Sequence, residues 1–202
     1  MKIGLVPMAA KPYHAGHHAL VEKAARENDQ VKLFISTTDR ARPGEATIRG
    51  EDMIKVWQNH LESILPSNVI PLYVRVPVRE VYEELRAAES QQDPGVSYMV
   101  YSDPEDTAAN YPENYRQKYF PQLYSSGQAQ FAAECDEPGC TRGIGTPDIS
   151  GTQMRKHLET GDYSKFAANM PDGVDAQAIY DILSGKSTIR EYVKVVWAGG
   201  LG

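Results

Sequence analysis

The sequence predicts an α/β fold: a single Rossmann-like domain whose parallel sheet of about five strands carries helices on both faces. Short apolar runs alternate along the chain with longer segments in which apolar residues recur at helical spacing. This alternation is typical of parallel strands joined by helices. A length of 202 residues suits one domain with a substantial core. We therefore expect one domain over 1–202, with a Rossmann-like core at 1–148 and a C-terminal helical segment at 149–202.

Five apolar runs are predicted as the strands of this sheet. They span 2–6, 30–36, 69–76, 97–101 and 129–134. Ligands of parallel α/β sheets bind beyond the carboxyl ends of the strands, where the strand order reverses. The segments that follow the first four strands, among them 11–17 and 102–103, are therefore predicted to converge on a ligand.

Helices are predicted between and after these runs. They extend from 17 to about 28 and over 51–65, 78–89, 106–124, 151–158 and 176–183. The pattern is clearest in 51–65, where Met53, Trp57 and Leu61 are among the apolar residues at helical spacing. The polar stretch 37–50 and the glycine- and proline-containing stretch 135–148 are predicted as loops.

Composition excludes several classes of function. The formal charge of −6 and the pI of about 5.4 argue against a broad nucleic-acid interface. No apolar stretch approaches the roughly 18 residues that span a membrane, and the start of the chain does not read as a signal peptide, so a cytoplasmic location is expected. Cys135 and Cys140 are the only cysteines and cannot fill a zinc site alone, so we expect no metal held by protein ligands.

A phosphate-binding loop is predicted directly after the first strand, at 12–17. Gly16 allows the backbone to approach a ligand, and the helix that follows offers free N–H groups at its start. His14 and His17 lie three residues apart beside them. Histidines at this spacing also occur as ordinary caps or surface residues, so the loop alone does not establish a function.

A second segment of the same kind begins at Ile149. Ser150 is placed to cap the helix, Thr152 presents a hydroxyl group in its first turn, and Arg155 can fold back toward the same end. An ordinary capped helix is the alternative interpretation.

The two segments together resemble the nucleotidyltransferase superfamily that carries an HxGH loop near its start and an ISxTxxR helix start near its end. They occur here in that order, about 135 residues apart. The segment 149–155 is similar to that of the nicotinamide mononucleotide adenylyltransferases, and the compact chain resembles small stand-alone nucleotidyltransferases of phages and bacteria. One departure is 7–11, which replaces a lead-in that is commonly rich in glycine and aromatic residues.

The resemblance implies that AMP is transferred from ATP to a phosphate monoester, with nicotinamide mononucleotide favoured as acceptor, and that pyrophosphate is released. Both motifs would grip the triphosphate, which carries Mg²⁺ on its own oxygens. The implied catalytic residues are His17, assisted by His14, Lys11 and Arg155. The implied nucleotide-binding residues are Gly16, Ser102, Asp103, Ile149, Ser150 and Thr152, and Arg40 is expected to bind the acceptor phosphate.

Three alternatives stay open at this point. They are a cytidylyltransferase acting on an alcohol phosphate, a pantetheine-phosphate adenylyltransferase, and a non-catalytic nucleotide-binding or structural module. The expected partners are therefore a nucleoside triphosphate and a small phosphate-bearing acceptor, with no nucleic acid or membrane. A bacterial or phage-infected cell is the expected setting. Self-association into a homo-oligomer is left open, since many relatives assemble.

Overall fold

The computed structural model describes residues 1–132 and 149–186, which fall into two compact units. Unit 1 combines Met1–Ala10, Gly16–Thr37 and the described part of Leu65–Asp148. Unit 2 combines Lys11–Ala15, Thr38–Ile64 and the described part of Ile149–Gly202. Segments 11–15 and 38–64, predicted as part of the core, thus group with the C-terminal helices. The predicted loop over Cys135–Asp148 lies outside the described residues.

Unit 1 is built on a parallel sheet of five strands flanked by helices, which confirms the predicted fold class. The strands are β1 (Lys2–Met8), β2 (Gln30–Ser36), β3 (Val69–Val74), β4 (Ser97–Val100) and β5 (Ala129–Phe131). Their order across the sheet is β3-β2-β1-β4-β5. The chain therefore moves outward from β1 through β2 to β3 and returns to β4 on the other side of β1. The order reverses between β1 and β4, which is where ligands bind in sheets of this kind.

The central strand β1 is buried along most of its length, as expected for a parallel strand covered on both faces. Leu5 and Val6 are fully buried. Leu5 is in register with Lys32 of β2 on one side and with Val100 of β4 on the other. A core cluster of unit 1 joins β1, β2, β4 and β5 to the helix that covers them. It includes Leu5, Phe34, Val81, Leu85, Val100 and Phe131.

The helices of unit 1 correct one prediction. They are α1 (Ala15–Glu27, whose first residue groups with unit 2), α3 (Pro77–Gln91), α4 (Pro104–Asn110), α5 (Glu113–Tyr119) and α6 (Pro121–Ser125). The region 106–124 is helical as predicted, but it holds three short helices instead of one continuous helix. Pro112 caps α5 and Pro121 begins α6. Proline lacks a backbone N–H group and clashes with the preceding turn, so it stops a continuous helix.

Unit 2 contains the remaining described helices. They are α2 (Gly50–Val56), α7 (Gly151–Glu159), α8 (Tyr163–Ala168) and α9 (Ala176–Leu183). The prediction of a regular helix over 51–65 holds only as far as Val56, because Trp57–Leu61 widens into a π-helical turn and Glu62–Ile64 tightens into a 3₁₀ turn. The prediction of α9 is confirmed at both ends. Within the described ranges, no helix has the length and apolarity that crossing a bilayer would require.

Candidate active site

A cleft of about 320 Å³ opens in unit 1 at the carboxyl ends of β1, β2 and β4. Its lining includes Pro7 and Met8 at the end of β1, Ser36 at the end of β2, and Ser102 just after β4. This is the point at which the strand order reverses, so the cleft lies where the fold class predicts a ligand. Four predicted site residues line it together. They are Gly16, His17, Ser102 and Asp103.

The first turn of α1 brings Gly16 and His17 to this cleft. The helix begins at Ala15, two residues earlier than predicted. Both residues therefore lie in the first turn, whose backbone N–H groups have no partner within the helix and favour an anion. Gly16 is buried and His17 is half-buried. Their placement suits contact with a phosphate, and their roles in catalysis stay predictions.

The connection that follows β4 supplies the other side of the cleft. Asp103 precedes α4, and Asp106 lies in its first turn. Both carboxylates line the cleft, together with Asn110 at the end of the same helix. Asp106 and Asn110 were not predicted as site residues. Ser36 ends the second predicted strand, where a ligand is expected, but it was given no role.

Arg155, a predicted residue of unit 2, is held by three hydrogen bonds. Its side chain is only 5% exposed, and three of its nitrogens donate to different acceptors. Nη1 donates to the backbone carbonyl of Lys11 at 2.7 Å, and Nη2 donates to Oγ1 of Thr152 at 2.9 Å. Nε donates to Oε2 of Glu45 at 2.6 Å. The prediction that Arg155 folds back toward the start of its helix is therefore confirmed.

The start of α7 is organised by a capping box around Ser150. The hydroxyl group of Ser150 accepts a hydrogen bond from the backbone N–H of Gln153 at 3.2 Å, and the backbone N–H of Ser150 donates to Oε1 of Gln153 at 2.8 Å. This confirms Ser150 as the helix cap. Ile149 is buried, whereas Thr152 is exposed. Gly151 leaves room for Arg155, because a Cβ atom there would lie 3.1 Å from Nη1.

The loop that contains Lys11 and His14 is buried in spite of its charge. Lys11 is 4% exposed and His14 is 1% exposed. Burial lowers the pKa of the Lys11 amine to about 8, although Asp39 opposes the shift, and Arg40 lowers the pKa further. Next to His14, the ring of Tyr13 packs on Trp57 with centroids 4.6 Å apart. The loop is therefore held by its aromatic residue.

Just before this loop, Ala10 has a φ of 47°, in the left-handed region that favours glycine. The conformation costs a residue with a side chain about 1 kcal/mol. Ala10 lies in the stretch 7–11, which departs from the glycine-containing lead-in that the family resemblance leads one to expect. The backbone thus keeps a glycine-like conformation where the sequence has alanine.

Arg40 belongs to a group of cations in unit 2. The pKa of its guanidinium is lowered by burial, then by the charges of Arg42 and Arg155, while Glu45 raises it. The charge of Arg40 in turn lowers the pKa of Lys11. Within the described part of the chain, the Nε atom of Arg40 is buried without a hydrogen-bond partner. An incoming anion would satisfy this donor, in keeping with the predicted phosphate contact.

The comparisons with known proteins concern the first third of the chain. Residues 3–69 match the family model of the citrate lyase ligase C-terminal domain. The chain is similar to that family over this range. The family is a member of the superfamily that carries the HxGH motif. The match contains the HxGH loop and Arg40, and it ends before the segment at 149–155. The comparison with curated proteins found no match.

Sequence reasoning missed two acidic residues of unit 2. Glu45 pairs with Arg155, and Asp39 accepts a hydrogen bond from the backbone N–H of Gly50 at 2.7 Å at the start of α2. Glu45 and Arg155 are 110 positions apart in the sequence. No feature of the nearby sequence distinguishes an acidic loop residue that pairs with a distant arginine from one that is only exposed to solvent. Asp39 gave no local signal either, because ten residues separate it from the helix start that it contacts.

Proposed function

We propose that the chain is a nucleotidyltransferase that transfers AMP from ATP to a phosphate monoester and releases pyrophosphate. The observation that carries the proposal is the group of cations in unit 2. The charges of Arg42 and Arg155 lower the pKa of Arg40, and the charge of Arg40 lowers the pKa of Lys11. Arg155 is held at the start of α7 by three hydrogen bonds. Such a group suits a polyphosphate, because each phosphate oxygen can accept charge-assisted hydrogen bonds.

The cleft of unit 1 and the family match support the same class of reaction. The cleft lies at the reversal of strand order, and His17 lines it at the first turn of α1. The matched family belongs to the superfamily with the HxGH motif, and an adenylyltransferase-type activity is what that relationship suggests. Neither observation names the acceptor.

The proposed chemistry requires positioning more than it requires a strong base. An oxygen of the acceptor phosphate attacks the α-phosphorus of ATP, a new P–O bond forms, and the bond to the β-phosphate breaks with its electron pair leaving on pyrophosphate. A phosphate monoester is largely ionised near neutral pH, so the protein mainly orients the reactants and stabilises negative charge. We assign His17, assisted by His14, to the α-phosphate, and Arg155 and Lys11 to the phosphates that leave.

Mg²⁺ is proposed as part of the nucleotide substrate. Among residues 1–132 and 149–186, no group of three or more His, Cys, Asp or Glu side chains is arranged to hold a metal ion. We propose phosphate oxygens and water as its ligands, because this is the usual arrangement for Mg²⁺ bound with a nucleotide.

Nicotinamide mononucleotide is the acceptor that we propose first, because the segment 149–155 is similar to that of the adenylyltransferases acting on it. Cytidylyl transfer to an alcohol phosphate and adenylyl transfer to pantetheine phosphate are the competing reactions. A carboxylate acceptor is a further candidate, since the matched family is one of acetyl- and adenylyl-transferring enzymes.

A pyrophosphate-release assay tests the proposal. Each of the four nucleoside triphosphates is combined with nicotinamide mononucleotide, pantetheine phosphate, glycerol phosphate, choline phosphate or acetate. We expect release with ATP and nicotinamide mononucleotide. Release with ATP and another phosphate acceptor alone would keep the reaction and replace the acceptor, whereas release with acetate alone, or with CTP alone, would overturn the reaction as proposed. If folded protein released no pyrophosphate with any pair, the non-catalytic alternative would stand in its place.

A further inference from the structure

Glu45 occupies one edge of the arginine that the proposed function assigns to phosphate. The distance from its Oε2 atom to Nε of Arg155 is 2.6 Å, and the two side chains are 15% and 5% exposed. The other two acceptors of this guanidinium are neutral, namely the carbonyl of Lys11 and the hydroxyl of Thr152. Glu45 is thus the anion among these three acceptors of Arg155.

A carboxylate and a phosphate present the same kind of acceptor to a guanidinium. Both are anionic, and both match its planar set of N–H donors. A buried arginine also requires an anion, because leaving its charge without one is strongly unfavourable. Glu45 therefore satisfies the same need of Arg155 that a phosphate group would satisfy.

The backbone around Glu45 permits this carboxylate to leave. Arg40 and Ile48 are joined by two backbone hydrogen bonds of 2.8 and 2.9 Å, and we call the tip between them, residues 41–47, the Glu45 loop. Most of its residues are exposed, and Gly44 has a φ of 75°. A Cβ atom on Gly44 would meet nothing within 4 Å. The exposed tip and the open space around Gly44 leave room for the Glu45 loop to move. Within the described residues, the backbone N–H of Glu45 is tied to this loop only by a bond to the carbonyl of Arg42 at 3.2 Å.

We propose that Glu45 is an internal competitor for the phosphate-binding edge of Arg155, which a polyphosphate displaces when it binds. The inference rests on the proposed function only in taking Arg155 as a phosphate-binding residue. Displaced Glu45 would stay near the positive charges of Arg40 and Arg42, which already act on it. The exchange thus replaces one anion on Arg155 by another and keeps the buried guanidinium paired throughout.

The test compares the affinity of wild type and Glu45→Gln for inorganic tripolyphosphate and for ATP by isothermal titration. Glutamine keeps a hydrogen-bond acceptor for Arg155 but removes the competing charge. We expect binding to tighten by about five- to tenfold, at the low end of ordinary coupling between two ligands of one site. Glu51→Gln is the matched control, because it removes the same charge from an exposed side chain of unit 2 that pairs with Arg49.

Two further variants separate competition from a merely structural role. In an Arg155→Ala background, Glu45→Gln should not increase the affinity for tripolyphosphate or ATP, because the guanidinium for which Glu45 competes is then absent. Glu45→Asp should tighten binding less than Glu45→Gln, since its charge remains on a shorter side chain, and it serves as the main comparison if Glu45→Gln fails to fold. A structural role predicts weaker binding and a lower melting temperature in both single variants.

The outcomes distinguish this inference from the proposed function. If Glu45→Gln binds tripolyphosphate and ATP more tightly in a way that depends on Arg155, and the wild type performs no nucleotidyl transfer, Glu45 is a competitor and the proposed reaction is overturned. Unchanged or weaker binding by Glu45→Gln, with transfer by the wild type, overturns the competitor and leaves the reaction. If neither protein bound tripolyphosphate or ATP, the competitor would be overturned as well.

Discussion

Lys11 carries a charge that depends on pH in an accessible range. Burial lowers the pKa of its amine from 10.5 to about 8. Below pH 8 the amine is cationic and attracts phosphate, and above it the amine becomes neutral. We expect the affinity for ATP to fall as the pH rises beyond about 8, by up to tenfold per pH unit if one proton is coupled to binding. Titration calorimetry across this range measures it, and Lys11→Arg, which keeps its charge, should not show the fall.

The same pKa shift has the opposite consequence for folding. Between pH 8 and 10.5 the unfolded lysine binds more protons than the folded one, so the free energy of unfolding rises with pH through this window. Denaturant unfolding of wild type and Lys11→Met isolates this contribution from other titrating groups. The stability of the wild type should improve relative to the variant as the pH is raised. A relative decline would show that the amine is stabilised in its charged form.

His17 should affect turnover far more than stability. It is half-buried at the first turn of α1 and lines the cleft. In the proposed reaction, its removal would take a donor from the reacting phosphate. Loss of one such donor typically lowers the rate about 10²–10³-fold. Steady-state kinetics of His17→Ala measure the effect, with thermal melting as the check on folding. His157→Ala, on α7, is the matched histidine control. Near-normal activity of folded His17→Ala would remove the HxGH loop from the mechanism.

At the scale of elements, the position of Arg155 at the start of α7 depends on the absence of a side chain at Gly151. A Cβ atom on Gly151 would lie 3.1 Å from Nη1 of Arg155 and 3.5 Å from the carbonyl oxygen of Lys11. Gly151→Ala should therefore displace the guanidinium by a few tenths of an ångström and weaken its hydrogen bond to the carbonyl of Lys11. Overpacking of this kind costs about 1–3 kcal/mol in a rigid environment.

Binding and melting measurements on Gly151→Ala test this coupling. We expect weaker binding of ATP together with a modest loss of stability, because the crowded atom belongs to a side chain that can shift. Gly161→Ala is not a suitable control, since Gly161 has a φ of 71°. Lys156→Ala is suitable, because it changes an exposed position of the same helix. Unchanged ATP affinity of Gly151→Ala would mean that Arg155 accommodates the methyl group.

The bounds of helices and strands that depend on nearby residues could be predicted well from the sequence. Features that depend on tertiary contacts could not. The bounds of β2 and α9 and the cap at Ser150 follow from apolar patterning and capping chemistry within a few residues. The widening of the α2 helix after Val56 has no such local cause. In the region 106–124 the sequence itself contains the prolines that divide the helix, Pro112 and Pro121, and the prediction of one helical stretch did not take them into account.

The candidate site divides in the same way. Gly16, His17, Ser102 and Asp103 could be predicted to converge, because parallel strands place their carboxyl ends at one edge of a sheet. The contact between Glu45 and Arg155 could not be predicted, because it joins positions far apart in sequence through a polar loop. The position of a side chain in a loop depends on how the two ends of the loop are fixed. For Glu45, these ends are fixed by the backbone pairing of Arg40 with Ile48.

At the scale of the whole molecule, the net charge is negative, whereas one region of unit 2 is positively charged. The chain carries a formal charge of −6, yet unit 2 groups Lys11, Arg40, Arg42 and Arg155. A polyanion is thus repelled by the molecule as a whole and attracted by one part of it. Because salt screens the longer-range repulsion more than the close contacts, moderate ionic strength should weaken nucleotide binding less than it weakens binding at an exposed basic surface.

The choice between ATP and CTP is the broadest prediction, because it concerns the reaction of the whole protein. The segment 149–155 resembles the adenylyl-transferring branch, so ATP with Mg²⁺ should raise the melting temperature more than CTP with Mg²⁺ at the same concentration. A ligand at one hundred times its Kd stabilises the folded state by about 2.7 kcal/mol, which is readily seen as a thermal shift. Arg155→Ala should abolish most of the shift, since the phosphates shared by both nucleotides lose their buried arginine. A larger thermal shift with CTP would assign the chain to the cytidylyl branch. Equal thermal shifts with the two nucleotides, both abolished by Arg155→Ala, would mean that the protein recognises the triphosphate and not the base.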